Sequence, residues 1–117
     1  MAVNRDRALV KDIIDHASEA VAISGGRRRG DLDTDLQFRY AGERLIEIVG
    51  EAAGKLSPEF RGQQPEIPWN LIIGMRNRLI HGYGEVNLDR LWATLADDLP
   101  KLVANLKDTL QDMTGSK

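Results

Sequence analysis

Between residues 88 and 110, large apolar side chains return every three or four positions: Leu88, Leu91, Trp92, Leu95, Leu99, Leu102, Val103, Leu106 and Leu110. Only a helix, at about 3.6 residues per turn, gathers that spacing onto one side. A strand needs apolar residues at every second position, and no such alternation lasts more than a few residues anywhere in the chain. The chain reads as all-α.

The same spacing occurs three more times. Leu9, Ile13, Ala17, Ala20 and Val21 form a stripe on a segment running from about Asn4 to Ile23. Phe38, Ala41, Leu45, Ile48, Val49, Ala52 and Leu56 form another, from about Asp35 to Leu56, with Asp33, Thr34 and Asp35 suited to capping its start. Ser57-Pro58-Glu59 fits a cap followed by proline at the first helical position and predicts a short helix over 58–61. After Pro65 and Pro68, a further helix is expected from Trp69 to about His81 or Gly82. Pro100 interrupts the last stripe and predicts a kink near Leu99. With short connections, these segments predict one domain over residues 1–117, an antiparallel up-and-down bundle of four to five helices. Residues 24–34 are expected to form a flexible basic loop, since Gly25, Gly26 and Gly30 surround Arg27, Arg28 and Arg29, and residues 114–117 are expected to fray.

Composition limits the chemistry. Without cysteine there is no disulfide, thiolate metal site or thiol nucleophile, and two histidines are too few for a histidine cage within one chain. No metal and no cofactor are expected. No apolar run has signal-peptide or membrane length, so a cytoplasmic protein with no membrane partner is expected. The formal net charge of -2 argues against coating nucleic acid by bulk electrostatics, so any such contact is local.

One arginine stands out. On a helical wheel with Trp69 at zero, Arg76 falls at about 340°, inside the arc of Ile72, Ile73, Met75, Leu79 and Ile80. A guanidinium does not shed its charge, and burying it costs several kcal/mol, roughly, unless it meets a carboxylate, a phosphate or a wet cleft. A structural salt bridge and a phosphate clamp both satisfy that demand. His81 follows on the face of Asn77, where Gly82 and Gly84 release the backbone from helix, and its ordinary pKa of about 6.5 suits proton transfer near neutrality. Arg78 lies on the polar side with Asn77. Glu43, Glu47 and Glu51 form a row that reads as a solvated face, and Gly50 and Gly54 beside them permit a close helix approach, expected at a dimer contact.

The order Arg76, Asn77, His81, Tyr83 resembles the R-N-x-x-x-H-x-Y motif of HEPN-domain ribonucleases. The stretches ERLIEIVGEAAGKLSPEFR, PEIPWNLIIGMRNRLIHGYG and LDRLWATLADDLPKL resemble the HepT toxin family. Gly84 departs from the aromatic residue that many relatives carry after the tyrosine.

The resemblance implies a helical homodimer with the two motifs facing one another across a shared cleft. It implies metal-independent endonucleolytic cleavage of RNA, with Arg76 stabilising charge on the phosphoryl oxygens, His81 moving protons and Asn77 supporting. It implies a cognate minimal nucleotidyltransferase of the MntA type as antitoxin, which attaches AMP to Tyr83. Arg27, Arg28, Arg29 and Arg78 are the candidate RNA phosphate contacts, although a solvated charge run explains the loop arginines equally simply. With few aromatics for stacking, strong base selection is not expected. Two other readings use the same residues: a non-catalytic nucleotide- or partner-binding module, and a plain dimerisation scaffold in which Arg76 is salt-bridged and silent.

Overall fold

The computed structural model describes residues 2–75, 77 and 86–115, with side chains from residue 4 to residue 113 within that set. Among the described residues all regular structure is helical. The order is α1 (Ala2–Ser24), α2 (Asp31–Thr34), α3 (Leu36–Gly54), α4 (Pro58–Gly62), α5 (Trp69–Ile73), α6 (Leu88–Ala93), a π-helical turn (Thr94–Asp98) and α7 (Leu99–Gly115). α1 packs along both α3 and α7, and α3 supports α5, which gives the expected all-α helical bundle.

The core is aliphatic. Val10, Ile13, Ala17 and Ala20 of α1 meet Ile46, Val49 and Ala53 of α3 and Leu91, Leu95, Leu99 and Leu106 of the last helical run, all fully buried. At about 1.5–3 kcal/mol for each large aliphatic side chain removed from water, these contacts outweigh any helix propensity in fixing the bundle. Phe60 and Trp69 close one end, their rings 6.0 Å apart.

Local signals place the helix ends. Asp35 caps α3, its side chain accepting from the Phe38 N–H, and Asn87 caps α6 through the Arg90 N–H. Ser57 caps α4 through the Phe60 N–H at 3.1 Å. It is itself held by Asp6 of α1, whose carboxylate accepts from the Ser57 N–H at 2.9 Å and hydroxyl at 2.6 Å. Asp6 is only 4% exposed, so this one carboxylate ties the start of α1 to the α3–α4 corner.

Five expectations need adjustment. The stripe read on α3 is rotated: Ala41 is exposed, Leu45 and Ile48 are half-buried, and the fully covered positions include Gly42, Ile46, Val49, Gly50 and Ala53. α1 and α5 approach α3 from that side; Gly50 lets the backbone of α5 come close, while Gly42 lies against the Leu95 side chain of the π turn. The predicted helix from Trp69 is divided at Gly74, whose backbone (φ -87°, ψ 2°) closes α5 with its N–H on the Asn70 carbonyl; helical conformation is resumed at Met75 and Asn77. The kink expected near Leu99 takes the form of a π turn just before it, in which the Leu99 N–H reaches the Thr94 carbonyl. Pro100 offers no N–H to the carbonyls of the preceding turn, so the ladder shifts register there rather than losing the helix. The basic loop is shorter than 24–34, because Asp31–Thr34 is a helical turn and Leu32 is fully buried. At the other end, helix continues through Gly115.

Candidate active site and its scaffold

Arg76, Arg78, His81 and Tyr83 lie outside the described residues; Asn77 lies within them, helical and exposed. What the structure supplies is the scaffold that leads into the motif. α5 is pressed onto α3 where Gly50 has no side chain: a Cβ built there would lie 3.2 Å from the Ile72 carbonyl oxygen and 3.4 Å from that of Ile73. Ile72 is 4% and Met75 6% exposed, so the residues just before Arg76 are anchored in the core. Gly50 thus serves a contact within the chain, not the expected contact between two chains, and Gly54 faces the Ile73 side chain at an ordinary 3.8 Å.

Beside that contact, α3 carries a polar cluster. Glu47 accepts from Arg44 at 2.6 Å, while the Arg39 Nε lies 3.8 Å from Glu43, too far for a hydrogen bond. The Arg39 Nε is buried with no hydrogen-bond partner among the described residues. Partial burial pushes the Glu43 carboxyl above the usual carboxylate range, and the Arg39 charge offsets this only in part. The row is therefore not the fully solvated face that its spacing implies: Glu51 is exposed, but Glu43 and Glu47 are half-buried. A single-helix wheel contains no information about a neighbouring helix that will cover its edge.

The three loop arginines are brought together, largely by carboxylates. Arg27 pairs with Asp35 at 2.9 Å and its guanidinium lies 4.6 Å from the centre of the Phe38 ring. Arg29 bridges Asp33 and Asp89, each at 2.6 Å. Those bonds raise the Arg29 pKa further, the Asp89 hydrogen bond first among the causes. Asp35 is held below the usual carboxylate range by the Phe38 N–H first and by Arg27 second. The Arg28 N–H donates to Asp31 at 2.9 Å, and its side chain is exposed. The Arg29–Asp89 pair joins this loop to α6, the first described helix after the motif. A phosphate approaching Arg27 or Arg29 competes with carboxylates already in place; Arg28 carries no such partner among the described residues.

A second polar and apolar surface lies on the other side of α5. A pocket of about 360 Å³ opens between α5, the π turn and α7, with Ile67, Leu71, Ile72 and Met75 on one wall and Arg90, Thr94, Asp98, Lys101 and Asn105 among the residues opposite. No motif in the sequence points to it, since its walls come from segments about 30 residues apart. No helix among the described residues is long and apolar enough to cross a membrane.

An all-α bundle whose core-anchored residues up to Met75 lead in sequence into an arginine-histidine motif has the make-up of the HEPN class. The chain is a member of the HepT-like family: the family model described as Ribonuclease HepT-like matches residues 12–109, which include the whole motif. It is similar to a Methanocaldococcus jannaschii protein that carries a provisional RNase name, at 31% identity over 96 residues, 82% of this chain and 88% of the relative. A Thermococcus cleftensis protein named "Probable ribonuclease HepT" is 34% identical over 96 residues, 79% of this chain and 87% of its own. A Caldanaerobacter subterraneus protein, also with a provisional RNase name, is 43% identical over 68 residues, 58% of this chain and 61% of its own. No solved structure matches the chain.

Proposed function

We propose that this chain is a metal-independent endoribonuclease and the toxin of a two-component, type VII-like toxin–antitoxin system. The observation that carries the reading is the series Arg76, Asn77, His81, Tyr83 inside the matched residues of a ribonuclease family. One chain offers one guanidinium and one imidazole of this motif, whereas cleavage of a phosphodiester uses both a base and an acid. A homodimer that shares one cleft supplies two of each.

In that cleft a ribose 2'-hydroxyl attacks the adjacent phosphorus, and one His81 takes its proton. Arg76 stabilises the charge that grows on the phosphoryl oxygens. The partner subunit's His81, as imidazolium, gives a proton to the departing 5'-oxygen, leaving a 2',3'-cyclic phosphate and a 5'-hydroxyl. Asn77, exposed on the helical residues after Gly74, supports the strand. Arg28 and Arg78 are the first-choice phosphate contacts, with Arg27 and Arg29 exchanging carboxylates for phosphates as RNA arrives.

Control falls to Tyr83. A minimal nucleotidyltransferase joins its phenol oxygen to the α-phosphorus of ATP and releases pyrophosphate. The added phosphate then competes with RNA for Arg76.

The test is cleavage of a mixed RNA pool with metal chelated throughout, by the wild type and by a His81→Ala protein shown to fold and dimerise normally. Loss of at least about a hundredfold in rate is expected for the variant. Equal cleavage by both assigns the activity to something other than His81. If both are inert and mass spectrometry finds Tyr83 unmodified after incubation with the cognate nucleotidyltransferase and ATP, the non-catalytic binding module replaces this reading.

A further inference from the structure

The pocket between α5 and the π turn is lined by described residues that lie outside the motif. Met75, one of its walls, directly precedes Arg76 in the sequence. At about 360 Å³ the pocket lies at the small end of ligand-binding cavities, with room for a planar group but not for a folded chain. Its walls are of two kinds. Ile67, Leu71, Ile72 and Met75 form an apolar side suited to the face of a flat ring. Across from them, Thr94, Asp98 and Asn105 offer a hydroxyl, a carboxylate and an amide.

Two cations stand among those residues, Arg90 and Lys101. Both are exposed, and neither forms an ion pair among the described residues, in contrast to Arg27, Arg29, Arg39 and Arg44. The π turn is what shapes the inner wall. It places Thr94, 1% exposed, with its hydroxyl donating to the Arg90 carbonyl at 3.0 Å, which leaves the hydroxyl oxygen able to accept. π turns of this kind are found frequently at functional positions.

We infer that this pocket receives one unpaired base of the RNA, with Arg90 and Lys101 on the neighbouring backbone phosphates. The inference rests on the ribonuclease reading for its substrate and assigns to that substrate a selectivity that the scarcity of aromatic residues does not predict. Carboxylates at Asp98 and Glu66 accept hydrogen bonds and donate none, so they favour bases that carry an exocyclic amino group. Uracil, which has none, binds weakest.

Binding is measured on His81→Ala protein, so that nothing is cut, by following backbone amide resonances while short single-stranded oligoribonucleotides with A, C, G or U at one fixed position are added. The expected result is shifts at the amides of Thr94, Leu102 and Asn105, an affinity at least about fivefold lower for the uracil oligomer than for the tightest, and loss of that discrimination in Asn105→Trp. Asn105 is exposed, so the larger ring fills the pocket without disturbing the core. Shifts that stay away from these three amides overturn the inference, as do equal affinities for all four oligomers. Ribose 5-phosphate giving the same shifts as the oligomers also overturns it, since the site is then only an anion site of Arg90 and Lys101. The result does not depend on turnover: a wild type that cuts no RNA removes the ribonuclease reading, while the base discrimination of the pocket stands or falls on these spectra.

Discussion

At the residue scale, burial decides what the charged side chains do. Asp6 and Glu43 are both carboxylates on helices, but Asp6 receives two strong hydrogen bonds from Ser57, and Glu43 has an arginine 3.8 Å away that does not bond to it. The Glu43 carboxyl is raised by burial, so the folded protein holds its proton more tightly than the unfolded chain does. Stability on its account therefore increases as pH falls through the raised value, and above that the ionised group is a burden. Replacing Glu43 by Gln is expected to leave stability unchanged or raise it by up to about 1 kcal/mol at pH 7. The gain should disappear below about pH 4, where ordinary glutamate is itself protonated. Urea unfolding of both proteins at the two pH values checks this, and a variant less stable at pH 7 than at pH 4 relative to wild type contradicts it. The motif residues themselves were legible in the order R-N-x-x-x-H-x-Y. The carboxylates around the loop arginines were not, because Asp89 meets Arg29 across 60 residues of sequence.

At the scale of elements, the contact between α3 and α5 controls how the chain enters its motif. Alanine at position 50 is favoured over glycine by about 1 kcal/mol in a helix interior. Its methyl group, however, meets the carbonyls of Ile72 and Ile73, which are backbone and do not rotate aside. Overpacking of this kind costs about 1–3 kcal/mol, so Gly50→Ala should lower stability by about 1 kcal/mol net. Since the chain passes from α5 through the buried Met75 directly to Arg76 in sequence, displacement of α5 should reduce cleavage by more than the lost stability explains. Thermal unfolding together with RNA cleavage at a temperature where both proteins are fully folded separates the two effects. Unchanged stability and unchanged rate would show that α5 yields without consequence. The sequence placed Gly50 correctly at a close approach and assigned that approach to the wrong partner, while Gly54 makes only an ordinary contact. Glycine spacing reports that a neighbour comes close; it does not identify the neighbour.

At the scale of the molecule, the described residues occupy a body of 49 × 31 × 20 Å. The shortest dimension is only about two helix diameters, so the core is one layer of contacts deep. A body this thin has much surface for its volume, and a second copy laid against it is an economical way to cover a charged motif while leaving a wet centre. If the cleft is shared, activity per chain should fall on dilution in step with dissociation of the dimer, as followed by analytical ultracentrifugation. Activity per chain that stays constant below the dimer dissociation constant assigns a complete site to one chain. The sequence by itself determined that the chain is helical, where α1, α3 and the run from α6 to α7 lie, and that Asp35, Ser57 and Asn87 cap α3, α4 and α6, because these are properties of neighbours within a turn or two. The rotation of α3, the division of α5 at Gly74, the π turn before Pro100, the tie from Asp6 to Ser57 and the pocket beside Met75 were decided only by the tertiary structure. Each depends on atoms far apart in the chain that meet only after the helices have packed.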